Sequence, residues 1–288
     1  MSLHEIRGKI DSVDNICQIT RAMEMVAASK MRRAEERMAA SRHYARHMRK
    51  IIGHLGRASP QYRHPYMRER PVQRVGYVIV ASDRGLCGGL NTALFRQALA
   101  HMAGWQGKDV PVTVCTIGNK AQSLFRKTPC TLAAHAAHLG DEPGVAALVG
   151  AVRVMLDGFA AGEIDRLHLV FNRFVNKITQ QPTIQQLLPL GVEGEEPPAH
   201  PWDYLYDQEP REVVTTVLER YVESQLYQAV VENLACEQAA RMAAMRSASS
   251  NAEDLISELQ LDYNKSRQAR ITQELAEIVG GARASRRS

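Results

Sequence analysis

The feature that most constrains this fold is a long stretch near the end of the chain that contains no helix-breaking residue. Residues 231–279 include neither Pro nor Gly and are rich in strong helix formers. Pro210 suits the first turn of a helix, and Gly280 with Gly281 permits a helix to stop. The pattern therefore predicts one continuous helix over residues 210–284.

Apolar or small side chains recur on one face of this predicted helix. They follow helical spacing, at Met242, Met245, Ala248, Ala252, Ile256, Leu259, Tyr263, Ile271, Leu275 and Ile278. At about 1.5 Å per residue, a helix of this length would extend roughly 100 Å, several times the diameter of a small domain. Such a helix needs a partner helix along its length.

The first part of the chain supplies that partner, because residues 3–55 repeat the same pattern. Their seam consists of Ile6, Ile10, Val13, Cys17, Thr20, Met23, Ala27, Met31, Ala34, Met38, Ser41, Ala45, Met48, Ile52 and Leu55. This heptad-like spacing predicts a coiled coil. Since many seam residues are Ala, Ser, Thr or Met, the helices can approach closely but are held less rigidly than by Leu and Ile. Gly53, Gly56 and Pro60 predict the end of the first helix.

Between the two helices the hydrophobic period changes to that of an α/β layer. The sequence predicts strands at residues 75–82, 110–117 and 167–175, an antiparallel edge at 182–190, and helices at 90–102 and 144–161. Residues 119–139 are mixed and are predicted to be partly helical. Alternating strands and helices indicate a largely parallel sheet.

The predicted fold is therefore of the α/β class with an unusual arrangement. Two long helices, N-terminal and C-terminal, form an antiparallel coiled coil, and a Rossmann-like α/β domain is inserted between them. The predicted divisions are residues 1–58 for the N-terminal helix, 59–73 for a linker, 74–206 for the α/β domain, and 207–288 for the C-terminal helix and a basic tail.

Charge is distributed unevenly along the chain. The net charge is +5, but residues 1–74 carry sixteen Lys or Arg against seven Asp or Glu, so the remainder is slightly acidic. A basic first quarter indicates an acidic partner. The five cysteines are scattered without a CxxC pair, which is typical of reduced thiols in a cytosolic protein. No secretory signal or membrane-spanning run is apparent.

The turn DRGLCGGLN, residues 83–91, lies where a dinucleotide-binding loop would lie. It lacks both the G-x-G-x-x-G spacing and a GK[ST] sequence, so a tight strand-to-helix turn is favoured over a nucleotide site. Cys87 could be a nucleophile, although no base is evident nearby. An interaction surface with Arg84 as its charge is the preferred interpretation, and a Rossmann-type enzyme remains an alternative.

Three other groups of residues have both a structural and a functional interpretation. Solvated histidines are favoured over metal ligands for the pairs His43 with His47 and His135 with His138. The basic cluster of Lys30, Arg32, Arg33 and Arg37 fits a solvated helix face and an acidic protein partner equally well. Polar groups within residues 267–275 suggest docking against another chain, with a solvated coil or a free-standing scaffold as the alternative.

Four segments in the same order resemble those of a known family. They are ITRAMEMVAASKMRRAEERM at residues 19–38, SDRGLCGGLN at 82–91, VENLACEQAARMAAM at 231–245 and YNKSRQARITQELAEIVGGA at 263–282. Together they resemble the gamma subunit of F-type ATP synthase, the central rotor shaft. The resemblance covers essentially the whole chain.

The resemblance implies a noncatalytic mechanical subunit without a cofactor. The paired helices would stand inside a ring of three alpha and three beta subunits, and the α/β domain with the lower coil would meet the epsilon subunit and the membrane c-ring. Ion-driven rotation would then force each beta site through its states in turn. By match of motif, the residues expected to contact the catalytic head are Met23, Arg84, Cys87, Arg267, Gln268, Thr272 and Glu274.

Some residues depart from the family pattern. Arg270 puts a bulky charge where a small residue is expected, and Arg283, Arg286 and Arg287 make the tail more basic than usual. Residues 191–201 form a short loop without cysteine, which resembles bacterial forms. With no transit peptide evident, the expected location is the cytoplasmic face of the bacterial plasma membrane, as a peripheral protein.

Overall fold

The computed structural model describes residues 2–58, 64–190 and 210–285. The elements in chain order are α1 (Leu3–Ala58), a 3₁₀ helix (Pro65–Met67), β1 (Val75–Val80), α2 (Leu90–Gln106), β2 (Val112–Ile117), α3 (Asn119–Phe125), β3 (Thr131–Ala136), α4 (Val145–Ala161), β4 (Arg166–Phe174), β5 (Gln180–Leu188) and α5 (Pro210–Ser285). This order confirms two long terminal helices with an α/β layer between them.

Three local expectations differ from the structure. The segment predicted to be mixed and partly helical contains the short helix α3 and also the strand β3, which was not predicted. α5 continues through Gly280 and Gly281 to Ser285, and α1 continues through Gly53 and Gly56, so neither pair of glycines ends its helix. A single Gly costs a helix only about 1 kcal/mol, and the surrounding helix formers outweigh it. Pro60 lies outside the described residues.

The sheet has five strands in the order β3-β2-β1-β4-β5. β1 pairs in parallel with β2 and with β4, and β3 pairs in parallel with β2. β5 is antiparallel to β4, which confirms the predicted antiparallel edge. The crossovers from β1 to β3 extend the sheet in one direction, and the chain then returns to place β4 on the other side of β1.

Both faces of the sheet are buried, which explains the continuous apolar run of β1. Val78 and Val80 belong to the core beneath α4 and α5, whereas Tyr77 and Ile79 belong to the core beneath α2 and α3. Gly76 is required by the first of these cores, because a Cβ there would lie 2.8 Å from side-chain atoms of Leu167 and Met155.

Contacts divide the chain into two units. The terminal unit comprises Met1–Val26 and Met242–Ser288, and the sheet unit comprises Ala27–Arg241. α1 and α5 each contribute to both units. All five cysteines are free. None of the described helices has a segment long and apolar enough to cross a bilayer.

The predicted seam of α1 is buried along much of its length. Buried seam residues are Ile6, Cys17, Ala27, Met31, Ala34, Met38 and Met48, with Ile10, Val13, Thr20, Met23 and Ser41 half-buried. The side chains of Ala45, Ile52 and Leu55 lie outside the described part. The helical spacing therefore identified the inward face of α1 correctly.

Candidate functional site

The crevice at the carboxyl edge of the sheet is filled by α5. In doubly wound sheets, ligands bind beyond the carboxyl ends of the strands where the strand order reverses, which here is between β1 and β4. Near the end of β4, the Asn172 side-chain amide donates to Oδ1 of Asn233 at 2.9 Å, and Sγ of Cys236 donates to the carbonyl oxygen of Asn172 at 3.3 Å. The Glu232 carboxylate accepts from the backbone N–H of Phe174. α5 therefore lies where a dinucleotide lies in other folds of this class.

The glycine-rich turn between β1 and α2 is closed by its own side chains. Nδ2 of Asn91 donates to Oγ of Ser82 at 2.6 Å and to Sγ of Cys87 at 3.4 Å. Neither Ser82 nor Asn91 is a general base, so neither side chain can activate the Cys87 thiol as a nucleophile. Cys87 is 3% exposed, whereas Leu86 is 62% exposed and Arg84 is exposed. Cys87 thus shapes the turn from inside, and the turn presents Arg84 and Leu86 to solvent.

A small apolar cluster joins this turn to β4 and α5. Cys87, Leu90 and Cys236 form its buried centre, and Phe174 and Ala240 pack against it. Burial raises the pKa of the Cys236 thiol, which stays protonated and can donate its hydrogen bond to the backbone of β4. The cluster fixes the turn, the end of β4 and one stretch of α5 relative to one another.

A buried ion pair on α5 holds the same turn. Nη2 of Arg241 lies 2.6 Å from Oε1 of Glu237, with side-chain exposures of 12% and 9%. The same nitrogen donates to the carbonyl oxygen of Gly85 at 3.2 Å, and Nη1 donates to Gln238. Burial raises the pKa of Glu237, and the hydrogen bond and charge of Arg241 oppose that rise. The guanidinium therefore links α5 to the backbone that carries Arg84 and Leu86.

One carboxylate connects the loops at the carboxyl edge of the sheet. Oδ1 of Asp83 accepts from the backbone N–H of Asn119 at 3.1 Å, and Oδ2 accepts from the backbone N–H of His138 at 3.0 Å. His138 has a φ of 58°, in the left-handed region. Asp83 thus ties the turn after β1 to the segments that follow β2 and β3.

The basic cluster of α1 has internal partners that the sequence did not reveal. Nζ of Lys30 lies 2.8 Å from Oδ2 of Asp141, and Arg37 pairs with the Glu142 carboxylate and the Asp141 carbonyl oxygen. Arg32 pairs with Glu36 on the same helix, and Arg33 is exposed. Lys30 and Arg37, two of the four basic residues in the cluster, therefore anchor the segment before α4 to α1.

In the described part of the chain, the rings of His135 and His138 contact a hydroxyl and an amide rather than further metal-binding side chains. Thr116 Oγ1 and His135 Nδ1 share a hydrogen bond of 3.0 Å, and His138 Nε2 lies 3.3 Å from the Asn119 amide nitrogen. His47 is exposed, and the side chain of His43 lies outside the described part. Across the described ranges, no three His, Cys, Asp or Glu side chains are placed to hold a metal ion.

In the terminal unit, α1 and α5 pair through small residues. Thr20 Oγ1 and Ser249 Oγ share a hydrogen bond of 2.7 Å, and Arg246 Nε lies 2.9 Å from Oε1 of Glu24. Partner numbers on α5 fall as those on α1 rise, so the pairing is antiparallel, as predicted. A hydroxyl-to-hydroxyl bond requires close approach of the two backbones, which the small seam residues allow.

Several apolar side chains of α1 are exposed in the terminal unit. Ile16, Ile19, Met25 and Val26 are between 53% and 69% exposed. Met23, one of the predicted contact residues, is half-buried beside them in sequence. Apolar side chains concentrated on one exposed helical stretch are typical of a surface that binds another protein.

Burial decreases steadily along α5 in the terminal unit. Met245, Ser249 and Ala252 are buried, Ile256, Leu259 and Tyr263 are half-buried, and residues 267–279 are all exposed. The predicted docking residues Arg267, Gln268, Thr272 and Glu274 belong to this bare stretch, as do the predicted seam residues Ile271, Leu275 and Ile278. Arg270 Nε lies 2.9 Å from Oε1 of Glu274, so the unexpected arginine is neutralised on its own helix.

Comparisons with known proteins agree with this architecture. The family model described as ATP synthase matches residues 2–284. The ATP synthase gamma chain of Nitrosococcus oceani is 58% identical over 283 residues, which is 97% of this chain and 98% of that relative. The chain belongs to the ATP synthase gamma-chain family.

Solved structures share the gamma-chain fold at lower sequence identity. The rotor of the Euglena gracilis mitochondrial ATP synthase matches with a TM-score of 0.64 at 21% identity, covering 93% of this chain and 98% of that one. The central stalk/c-ring structure of the Tetrahymena thermophila mitochondrial ATP synthase matches with a TM-score of 0.61 at 23% identity, covering 80% of this chain and 99% of that one. At these identities the likeness shows the fold.

The structure separates the predicted contact residues of this family member into two groups. Arg84 and Cys87 lie on the turn of the sheet unit, whereas Met23, Arg267, Gln268, Thr272 and Glu274 lie in the terminal unit. Sequence reasoning missed the Asn172–Asn233 and Glu237–Arg241 pairs. The i, i+4 spacing of Glu237 and Arg241 was a visible signal for the second pair.

Proposed function

We propose that this chain is the central-stalk rotor subunit of an F-type ATP synthase and is itself noncatalytic. The observation that carries the proposal is the exposed stretch of α5, residues 267–279. Ile271, Leu275, Ile278 and Val279 are between 47% and 68% exposed, among residues that are all exposed. A helix with this surface fits a surrounding protein that supplies its contacts. The 58% identity to an ATP synthase gamma chain, over 97% of this chain, supports the same conclusion.

The partners in this proposal are three alpha and three beta subunits, the epsilon subunit and the membrane c-ring. Ion-driven rotation of the c-ring, by protons or sodium ions, turns the shaft, and the asymmetric shaft biases each beta subunit toward a different conformation. This is coupling between distant sites through rigid-body rotation. Structural neighbours described as a rotor and as an OSCP/F1/c-ring assembly support the F1 head and the c-ring among these partners.

Seven residues carry the proposed contact with the catalytic head. In the terminal unit, Arg267, Gln268, Thr272 and Glu274 form a polar contact with beta, and Met23 meets the head from α1. In the sheet unit, Arg84 faces an acidic loop of beta, with Cys87 supporting the turn. The exposure of Arg84 and of residues 267–279 supports these assignments.

The proposed division of labour follows the sequence-based boundaries. Residues 1–58 and 207–288 form the shaft, and residues 59–73 link it to the α/β domain. The α/β domain, residues 74–206, contacts epsilon and the c-ring together with the lower coil. Through its partners, the chain is a peripheral protein on the cytoplasmic face of a bacterial inner membrane.

Reconstitution tests the proposal directly. The full chain is mixed with purified alpha and beta subunits, and complex mass and ATP hydrolysis are measured with and without it. One copy joining a hexamer of alpha and beta subunits and raising turnover is the expected result. A chain that stays separate, or that hydrolyses ATP alone, would contradict the rotor assignment.

A further inference from the structure

The β4–β5 hairpin ends in a rigid tip with exposed apolar side chains. In this tip, residues 175–179, Ile178 is 90% exposed and Val175 is 53% exposed. Oδ1 of Asn176 accepts from the backbone N–H of Ile178 at 2.9 Å and of Thr179 at 2.7 Å, and the Asn176 N–H donates to the Thr179 carbonyl at 3.2 Å. Because the loop is already ordered, binding through it costs little conformational entropy.

The hairpin is positively charged and has no acidic residue. Residues 166–190 contain Arg166, Arg173 and Lys177 but neither Asp nor Glu. Arg173 precedes Val175, and Lys177 lies between Val175 and Ile178 in the sequence; both cations are exposed. Exposed cations beside exposed Ile and Val favour a partner that combines carboxylates with apolar side chains.

The tip lies at the same edge of the sheet as the turn that presents Arg84 and Leu86. β4 runs parallel to β1, so both strands end at the carboxyl edge. Phe174, the last residue of β4, packs against the buried cluster that contains Cys87 and so connects the base of the hairpin to that turn. Both elements present exposed cations together with exposed aliphatic side chains.

We propose that the hairpin tip is a second docking element for the catalytic head and binds an acidic segment of a beta subunit. This inference rests on the rotor function proposed above, and it adds a contact that the gamma-chain motifs did not indicate. Ile178 and Val175 supply the apolar contact, and Lys177 with Arg173 supplies charge complementarity.

Site-specific photocrosslinking in the assembled complex tests the placement. A benzophenone amino acid replaces Ile178 in one variant and Val154 in a control variant. Val154 is 53% exposed on α4, away from the hairpin. Activation at position 178 should yield a covalent product with a beta subunit at an acidic peptide, identified by mass spectrometry, and position 154 should not yield that product.

Matched substitutions test the energetics. Val175→Asp and Lys177→Glu should each weaken binding of the chain to the alpha–beta hexamer by at least about threefold, since both introduce like-charge repulsion. Val154→Asp and Lys127→Glu, at exposed positions elsewhere, should leave the affinity unchanged. The effect of Lys177→Glu should shrink at high salt, because exposed charges are screened.

The outcomes separate this inference from the rotor assignment. Failure of the unmodified chain to join alpha and beta subunits contradicts the rotor function. Normal assembly, with no crosslink from position 178 and with unchanged affinity of both hairpin variants, overturns the docking element alone. A crosslink from position 178 to epsilon, to the c-ring or to a second copy of the chain also overturns it.

Discussion

Two stretches of α5, residues 214–241 and residues 267–279, meet their surroundings in opposite ways. In the first stretch Leu218 and Ala235 are completely buried, and even Asn233 and Glu237 are buried with their polar groups paired. In the second stretch every residue is exposed. Both are continuous helix, so helix propensity does not distinguish them. The difference shows that one helix can be fixed to a sheet at one stretch and keep its surface available at another.

The largest expected effect comes from two Arg–Glu pairs with the same four-residue spacing, one in each stretch. Glu237→Ala leaves Arg241 buried without its partner and should lower the free energy of unfolding by about 3–5 kcal/mol. Glu274→Ala removes only a pair in which both side chains are more than half exposed, and should cost less than about 1 kcal/mol. Urea unfolding of the purified variants measures both values. Equal losses of unfolding free energy in the two variants would contradict the difference in burial between the two stretches.

A second pair of variants compares the same side chain in the two stretches. Leu218→Ala removes a completely buried side chain from the core beneath the sheet and should cost about 2–5 kcal/mol. Leu275 is 57% exposed, and Leu275→Ala should change the free energy of unfolding by less than about 0.5 kcal/mol. Thermal and urea unfolding are suitable measurements. A large stability loss for Leu275→Ala would mean that the second stretch packs within the chain.

Acid should lower the stability of the sheet unit, because it protonates a buried histidine. His168 is 7% exposed, neither ring nitrogen has a hydrogen-bond partner among the described residues, and burial lowers its pKa from 6.5 to about 4, with His101 and Arg166 adding to the effect. Because the folded pKa lies below the unfolded one, this contribution to stability is complete above pH 6.5 and is lost as the pH falls toward 4. The loss should be on the order of 3 kcal/mol.

Urea midpoints between pH 7 and pH 4 measure this dependence. His168→Phe should flatten the slope, because the ring remains while the titrating nitrogens are removed. An unchanged slope in the variant would assign the acid sensitivity to other groups. The exposed stretch of α5 contains no histidine, so no histidine there adds to the pH dependence of stability.

Glu274→Lys should have only a small effect on folding but should nevertheless weaken coupling. The substitution replaces an exposed carboxylate beside Arg270 and should shift the free energy of unfolding by less than about 1 kcal/mol. In the complex reassembled with its partner subunits, the rate of ATP-driven rotation or of proton transport should fall by a larger factor than the small loss of unfolding free energy would cause. Parallel losses of stability and coupling would count against a docking role for this residue.

Hydrophobic periodicity predicted most of the fold, and the missed strand shows its limit. β3, with the sequence TLAAHA, has one β-branched residue and three alanines, so its local composition does not favour a strand. Its pairing with β2 decides its conformation. α1 and α5 also pass through Gly53, Gly56, Gly280 and Gly281, where a stop was expected, since the cost of one glycine is smaller than the gain from continuing the helix. α5 nevertheless ends at Ser285, one residue beyond its predicted end.

The candidate site was less accessible to sequence reasoning than the fold. Motif resemblance predicted Arg84 and residues 267–275 as contact elements, and these positions are exposed in the structure. It gave no indication that α5 fills the crevice of the sheet, because Asn172 and Asn233 are 61 residues apart. Partners of the basic helix α1 were equally hidden, since Arg37 and Glu142 are 105 residues apart.

The segment of α5 in the crevice has a consequence for how the α/β fold responds to its environment. A free ligand stabilises its protein according to its concentration, by mass action. Here the group that occupies the crevice is covalently part of the chain, so its local concentration is fixed. Adding adenine nucleotides to the isolated chain should therefore leave its melting temperature unchanged. In this chain the crevice of the α/β fold therefore has a permanent occupant.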